Sequence, residues 1–249
     1  MKVLCVQSKR MAEEVSGSYI NGLKNDVSKL DFDLMVLPEK WITSEFDEHS
    51  EKLADVISTF ENISEEHSCI VAPGSFSIRR GGFLYNSAPV ISDGRLLGYQ
   101  DKIALFKNEN GKYDRGNEIK AFKTGRITLS VAVCYDLDFP FYAKVAIEKG
   151  SELLINPSLI SREFKEMWYV YVKGRSLENR LPVVSVNSSS EMFGGGTVVT
   201  SMKPHNGGIL LGTRFLGTEH FAVMESNVEE VGPFIRSRKE EDFGSYSFP

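Results

Sequence analysis

Three residues with complementary chemistry each stand just past the end of an apolar segment: Glu39, Lys102 and Cys134. A sheet holds the backbone at its strand ends rigidly and delivers side chains from there into a cleft. A thiol is mostly protonated near neutral pH, so a cysteine nucleophile needs a base such as a glutamate. A lysine can stabilise the negative charge that builds on an attacked carbonyl oxygen. The set therefore suits covalent attack by the thiol on a carbonyl-like carbon.

Each residue also has a simpler interpretation when it is taken alone. A cysteine that ends an apolar strand is most often a small core residue. A glutamate after a proline usually lies on a loop surface, and a lysine at a strand end usually reaches into water. The combination of the three residues favours chemistry over these separate interpretations.

Other functional constellations are missing from the sequence. The four histidines form no HExxH or similar metal-binding spacing. The glycine run 194–196 lacks both the lysine of a phosphate-binding loop and the spacing of a dinucleotide-binding loop. We therefore expect no metal ion and no cofactor.

The elements that must position the three residues alternate between strand and helix. Apolar runs predict strands at 3–6, 34–37, 69–72, 127–134, 153–155 and 183–186. Apolar residues at helical spacing predict helices around 15–30, 53–60 and 164–171. Asp138 and Pro140 suit the cap and first turn of a further helix, and Asp93-Gly94 between two apolar runs predicts a hairpin. This order indicates a mixed-sheet α/β protein, and since no composition break divides it, we expect one domain over 1–249.

The overall composition limits the classes of function. The chain has 249 residues, of which 41% are hydrophobic and 25% charged, and its net charge of -5 argues against nucleic-acid binding. Its three widely spaced cysteines form neither a disulfide framework nor a CxxC pair, which favours a reducing compartment. No apolar run approaches the roughly 20 residues that span a bilayer, and the N-terminus lacks signal-peptide features. We expect a soluble, cytoplasmic protein without a membrane partner.

Four blocks of sequence together resemble the signature blocks of the carbon–nitrogen hydrolase (nitrilase) superfamily, in the same order and at similar spacing. They are Leu37-Pro38-Glu39, Gly98-Tyr99-Gln100-Asp101-Lys102, Val131-Ala132-Val133-Cys134-Tyr135-Asp136-Leu137-Asp138-Phe139-Pro140, and the stretch 174–187. The resemblance extends from the first strand to about Gly212, and the block around Cys134 is specific. It implies a four-layer α-β-β-α sandwich with two mixed sheets and helices outside each sheet.

The resemblance also implies roles for individual residues. Cys134 would be the nucleophile and Glu39 the general base. Lys102 would stabilise the developing oxyanion, with the backbone N–H of Tyr135 as a second donor. For Asp136 we favour a structural role, independent of the resemblance, in which its side chain hydrogen-bonds the backbone around the tight turn that exposes the thiol.

Three further positions keep two interpretations open. Glu109 matches a second glutamate of the family, which holds the lysine and helps position substrate or water, but a solvated loop acid fits equally well. Trp168 is similar to a pocket-lining position, whereas its helical spacing favours core packing. Asp138 stands where the family frequently has arginine, so it either changes the substrate charge preference or, as we prefer, caps the next helix.

The implied activity is hydrolysis of a small non-peptide amide through a cysteine thioester, which releases ammonia and a carboxylic acid. Hydrolysis of an N-carbamoyl compound or a nitrile is the alternative within the same class. A non-catalytic protein that binds a metabolite or a partner is the alternative from another class, and the presence of all three residues argues against it. The family commonly forms face-to-face dimers, so we expect at least a homodimer. Residues 231–249 are expected to form a C-terminal tail, either loose or lying across the partner subunit.

Overall fold

The computed structural model describes residues 1–206 and 208–241. The first half of the chain contains β1 (Lys2–Val6), α1 (Glu13–Val27), β2 (Leu34–Val36), β3 (Glu45–Asp47), α2 (Glu51–Glu66), β4 (Ile70–Ala72), β5 (Phe76–Arg80), β6 (Phe83–Ser92) and β7 (Arg95–Asp101). The second half contains β8 (Phe122–Lys123), β9 (Thr128–Val131), α3 (Pro140–Glu148), β10 (Leu153–Ser158), α4 (Lys165–Asn179), β11 (Val183–Asn187), β12 (Thr197–His205), β13 (Gly208–Leu216), β14 (Phe221–Glu225) and α5 (Val228–Glu240). Short 3-10 turns lie at Lys107–Glu109, Cys134–Asp138 and Arg162–Phe164.

The strands form two mixed sheets. The first sheet has the order β14-β1-β2-β4-β6-β5-β3, with β7 paired to β6, and the second has the order β13-β12-β11-β10-β9-β8. In each sheet the central strands run parallel: β1, β2 and β4 in one, and β9, β10 and β11 in the other. Since the carboxyl ends of parallel strands meet at one edge of a sheet, residues that follow these strands are brought together.

Side chains of β1 show how the layers pack. Val3 and Cys5 join the core cluster that also contains the second sheet, whereas Leu4 and Val6 join the cluster formed with α1 and α2. Alternate residues of a strand point to opposite faces, so the first sheet is covered by helices on one side and by the second sheet on the other. The helices α3 and α4 pack with the second sheet. The predicted two-sheet, layered α/β architecture is confirmed.

The hairpin predicted at Asp93-Gly94 is present. Ser92 pairs with Arg95 across β6 and β7, which leaves a two-residue loop. Both loop residues have positive φ, 52° at Asp93 and 69° at Gly94, as the tight hairpin turn requires. Between this hairpin and Lys102 the pairing of β6 with β7 shifts by one residue, at Val90 and Ile91.

Two local predictions differ from the structure. The helix α3 does begin at Pro140, but its N-cap is Phe139 and no side chain caps it, so the prediction that Asp138 caps this helix is wrong. The reason is that the 3-10 turn of residues 134–138 runs up to Asp138 and leaves the next residue at the cap position. The predicted tail also begins inside a helix: Val231 and Ile235 are buried residues of α5, and residues 242–249 lie outside the described residues. Across the described ranges, none of the helices is both long and apolar enough to cross a membrane.

Candidate active site

The structure places Glu39, Lys102 and Cys134 together at the ends of β2, β7 and β9. All three side chains are buried: the exposed fraction is 2% for Glu39, 2% for Lys102 and 8% for Cys134. The Lys102 Nζ lies 2.9 Å from Glu39 Oε1 and 2.7 Å from Glu109 Oε2, so one ammonium group bridges two carboxylates. The Cys134 side chain lies close enough to Glu39 and Lys102 for both charges to act on its thiol. The four side chains thus form one cluster, which we call the Glu–Lys–Cys cluster.

Glu109 belongs to this cluster because four donors hold its carboxylate. Besides Lys102 Nζ, the backbone N–H of Phe106 donates to Oε2 at 2.9 Å. Lys40 Nζ donates to Oε1 at 2.8 Å, and Asn86 Nδ2 reaches the same oxygen at 3.4 Å. Asn86 Nδ2 also donates to Glu39 Oε1 at 2.7 Å and so links the two carboxylates. Glu109 is therefore a buried, fully engaged anion and not a solvated loop acid.

The charges of the cluster set its protonation states. Burial alone would lower the pKa of Lys102, but the negative charges of Glu39 and Glu109 outweigh it and raise that pKa, so the lysine stays cationic. Burial would likewise raise the pKa of Glu109, but Lys102 and Lys40 bring it down to about 2. Burial, and then the charge of Glu39, raise the pKa of the Cys134 thiol. The resting thiol is consequently neutral and needs a base to become a nucleophile.

The backbone changes direction at Cys134, which is the first residue of a 3-10 turn. Its φ of 47° is in the left-handed region, which costs energy for any residue with a side chain. This change of direction ends β9 at Val131, three residues earlier than the strand predicted from the sequence. Tyr135 is the second residue of the 3-10 turn, where backbone N–H groups have no acceptor within the turn. Leu159, in the segment that follows β10, lies beside the thiol.

Two glycines allow the backbone to pack closely behind the cluster. A Cβ on Gly74 would lie 2.0 Å from the carbonyl oxygen of Pro38, the residue before Glu39. A Cβ on Gly116 would lie 2.5 Å from the carbonyl oxygen of Asp101, the residue before Lys102. The segments that carry the base and the lysine are therefore each held against another loop, at a separation that only glycine permits.

Asp136 ties the lysine segment to the nucleophile turn. Its Oδ1 accepts the backbone N–H groups of Ile103 at 3.1 Å and Ala104 at 2.7 Å, and its Oδ2 accepts the N–H of Val133 at 3.1 Å. Complete burial raises the pKa of Asp136 to about 7, although these donors and Lys102 act against the rise. The carboxylate thus fixes the residues next to Lys102 relative to the residue before Cys134.

We expect the stability contributed by Asp136 to fall as pH rises through about 7. The folded protein holds this proton more tightly than the unfolded chain, so the stabilisation is complete below the ordinary pKa of aspartate and is lost above the folded pKa of about 7. An Asp136→Asn variant lacks this titration. Relative to wild type, its loss of unfolding free energy should be larger at pH 6 than at pH 8.5 by about 1 kcal/mol. Urea unfolding at the two pH values measures this difference, and an equal loss at both would contradict the assignment.

The remaining residues singled out from the sequence lie beside the cluster. The Tyr135 ring packs between Phe106 and Phe139, with ring centroids 5.2 and 5.4 Å away. Trp168 is 7% exposed, belongs to the core and donates its indole N–H to Ser185 Oγ at 3.1 Å. The hydrogen bond to Ser185 satisfies the indole N–H of Trp168 inside the core, so no substrate contact is needed to explain its position. The Oδ1 atom of Asp138 is buried without a hydrogen-bond partner in the described structure.

Sequence reasoning missed Lys40 and Asn86, which both touch the cluster. Lys40 directly follows Glu39 in the sequence, and this adjacency is the feature that could have predicted its contact with the cluster. Asn86 interrupts the apolar β6. Its backbone carbonyl oxygen accepts the backbone N–H of Lys102 at 2.8 Å. An asparagine inside an apolar strand is itself a signal, but its partner depends on the β6–β7 register.

No alternative site stands out within residues 1–206 and 208–241. No group of three or more His, Cys, Asp or Glu side chains there is arranged to hold a metal ion. A cavity of about 630 Å³ is lined by residues including Arg180, His205 and Phe234, none of which belongs to the Glu–Lys–Cys cluster. This cavity is therefore separate from the Glu–Lys–Cys cluster.

Comparison with protein families decides what kind of protein carries this cluster. The profile of the carbon-nitrogen hydrolase family matches residues 9–207, well over half of the chain. The chain belongs to the carbon-nitrogen hydrolase family. The proteins with which this carbon-nitrogen hydrolase aligns include enzymes named as amidases.

Individual relatives of this carbon-nitrogen hydrolase are distant. It is 25% identical to the omega-amidase NIT2 of Bos taurus over 186 residues, which cover 68% of this chain and 67% of that enzyme. It is 29% identical to the N-carbamoylputrescine amidase of Oryza sativa subsp. japonica over 151 residues, which cover 53% of this chain and 48% of that enzyme. Alignments with these and other relatives cover between 27% and 67% of the relative's own length.

A solved structure shows the same fold. The crystal structure of Nit3 of Saccharomyces cerevisiae, a member of branch 10 of the nitrilase superfamily, superposes with a TM-score of 0.79. The match covers 99% of this chain and 97% of that chain at 19% sequence identity. The layered sandwich of this carbon-nitrogen hydrolase is thus the nitrilase fold.

Proposed function

We propose that this protein hydrolyses a small non-peptide amide through a thioester on Cys134, releasing ammonia and a carboxylic acid. The observation that carries the proposal is the placement of the neutral, buried thiol against Glu39, with the cationic Lys102 held beside both. A thiol, a base and a fixed cation are the groups that nucleophilic attack on an amide requires.

The acylation step uses all three groups. Glu39 takes the thiol proton as the sulfur forms a bond to the amide carbon, and the C=O electron pair moves to oxygen. Lys102 and the N–H of Tyr135 donate to that oxyanion, which is stabilised strongly because the site is buried. As the oxyanion collapses, the C–N bond breaks, and the proton on Glu39 passes to the departing nitrogen to give ammonia. Cys134 is left as a thioester and Glu39 as a carboxylate.

The second step returns the enzyme to its starting state. Glu39 takes a proton from a water molecule as the water oxygen attacks the thioester carbon. The new oxyanion is held by the same two donors. When it collapses, the C–S bond breaks and the proton on Glu39 returns to the sulfur, which releases the carboxylic acid.

The cluster by itself does not select among amides, N-carbamoyl compounds and nitriles, because all three pass through a sulfur-linked intermediate. We favour a small amide, since relatives of this chain include an omega-amidase. An N-carbamoyl compound is the second candidate, since the relatives also include an N-carbamoylputrescine amidase.

The exposed face of α4 supports assembly with a second copy. Met167, Val170 and Leu177 are exposed by 56%, 69% and 48% and follow one another at helical spacing, which makes an apolar stripe. We propose a homodimer or higher homo-oligomer, and a monomer mass in solution would contradict it. The three free cysteines fit a reducing compartment such as the cytoplasm.

The function is tested by ammonia release from a panel of short amides, ω-amides, N-carbamoyl amino compounds and nitriles. Wild type is expected to release ammonia from at least one amide. Lys102→Ala should be slower by about 10²–10³-fold, the loss for one oxyanion donor. Lys149→Ala is the control, because Lys149 is an exposed lysine that pairs with Glu118, which is outside the Glu–Lys–Cys cluster. Full activity of a folded Lys102→Ala variant would contradict the role of Lys102, and binding of a metabolite without any turnover would favour a non-catalytic protein.

A further inference from the structure

Lys40 is a second, partly buried cation of the site, and the three groups of the proposed mechanism do not use it. Its side chain is 16% exposed, and its Nζ donates to Glu109 Oε1 at 2.8 Å. The same Nζ lies 4.9 Å from the centroid of the Tyr113 ring. Burial alone would lower the pKa of Lys40, but the charges of Glu39 and Glu109 outweigh it and raise that pKa. Lys40 is therefore a cation confined between a carboxylate and an aromatic face.

The segment that carries Glu109 is fixed to the same place. The backbone N–H of Tyr113 donates to the carbonyl oxygen of Glu109 at 3.0 Å, and the Tyr113 hydroxyl is 2.7 Å from Ser77 Oγ on β5. Lys40 itself has a φ of 40°, and its N–H donates to the carbonyl oxygen of Ser75 at 2.9 Å. The backbones of both partners of the Lys40–Glu109 ion pair are thus held in place by hydrogen bonds to neighbouring segments.

The four donors on Glu109 use all of its acceptor capacity. An ionised carboxylate offers about four lone-pair sites. Lys40 and Asn86 occupy Oε1, whereas Phe106 N–H and Lys102 occupy Oε2. Glu109 therefore has no acceptor site left for a substrate or a water molecule. Its influence on the reaction must pass through Lys102.

This arrangement matters most when Glu39 becomes neutral. In the proposed mechanism Glu39 accepts the thiol proton, and its ion pair with Lys102 is then weakened. Glu109 becomes the anion that holds the ammonium group in position while charge develops on the oxyanion. We propose that Lys40 is a positioning residue that, by pinning Glu109, keeps Lys102 in place during this step.

The inference rests on the proposed function, and Lys40→Met tests it by removing the charge at similar side-chain volume. We expect kcat to fall by roughly 10- to 100-fold, the range for losing a charge-assisted hydrogen bond, with little change in KM. Lys40→Arg should recover much of the loss. Lys112→Met is the matched control, because Lys112 Nζ lies 5.4 Å from the same Tyr113 ring but is 55% exposed and pairs with Glu45. Unchanged kcat in a folded Lys40→Met variant would overturn the proposal.

Two further readouts separate positioning from a purely structural role. Without Lys40 the pKa of Glu109 rises, so activity in Lys40→Met should be lost at a higher pH on the acid side than in wild type. In a Glu109→Gln background, Lys40→Met should have little further effect, since both changes remove the same contact. A full additional loss in that background, or a loss confined to KM, would show that Lys40 acts directly on the substrate and would overturn the proposal.

A second test of the role of Lys40 does not depend on the proposed function. It measures the rate at which iodoacetamide alkylates Cys134. Lys102 acts to lower the pKa of the thiol, so a displaced lysine slows alkylation. Lys40→Met is expected to react more slowly than Lys112→Met at the same pH, and equal rates would overturn the role of Lys40. Absence of ammonia release from wild type would instead count against the proposed function, whatever the alkylation rates.

Discussion

Replacing Cys134 by alanine is expected to abolish amide hydrolysis, by on the order of 10⁴-fold or more, because loss of the nucleophile removes the covalent route. The fold should be retained, since alanine occupies the same left-handed backbone position with a smaller side chain. Activity is measured as ammonia release and folding by circular dichroism.

Cys69→Ala is the matched control for this variant. Cys69 is also buried, and burial likewise raises its pKa to about 12, but it lies just before β4 and contacts the backbone of Ile63 instead of the cluster. The control should keep wild-type activity. Equal ammonia release from wild type and Cys134→Ala would remove Cys134 as the nucleophile.

Glu39→Gln is expected to lower kcat by about 10²–10⁴-fold, the contribution of a positioned general base. Glutamine keeps an oxygen that can accept the hydrogen bonds of Asn86 and Lys102, so the structure around it should change little. It cannot accept the thiol proton. Because both steps use the same carboxylate, acylation and thioester hydrolysis should both slow.

Glu45→Gln provides the control for the Glu39 variant. Glu45 also pairs with two cations, Arg79 and Lys112, but it is exposed and remote from the thiol. The same chemical change there should leave kcat unaltered. A Glu39→Gln protein with wild-type kcat would show that another group accepts the proton.

The parts of the site that the sequence predicts are those encoded locally. Glu39, Lys102 and Cys134 each end an apolar run, and a strand end fixes where its next residues point. The turn at Asp93-Gly94 is similarly local, because two residues with positive φ define it. These positions could be predicted from neighbouring residues together with the family resemblance.

The parts that could not be predicted depend on contacts between distant segments. Lys40 and Glu109 are 69 residues apart, and Asn86 reaches Glu39 across 47 residues. These residues come into contact because of strand register and loop packing, which cannot be predicted from a local sequence pattern. Asp138 shows the opposite failure: its sequence context suits a helix cap, but the preceding 3-10 turn shifts the cap to Phe139.

The measurement that tests the account most directly is the mass of the protein during turnover of an amide substrate, after rapid acid quenching. Acid traps a thioester, so the mass of the wild-type protein should increase by the mass of the acyl group. Peptide mapping should locate this mass increment on the segment that contains Cys134. Glu39→Gln should form it more slowly, and Cys134→Ala should not form it at all. Ammonia release without any increment on Cys134, or an increment that persists in Cys134→Ala, would contradict the thioester mechanism.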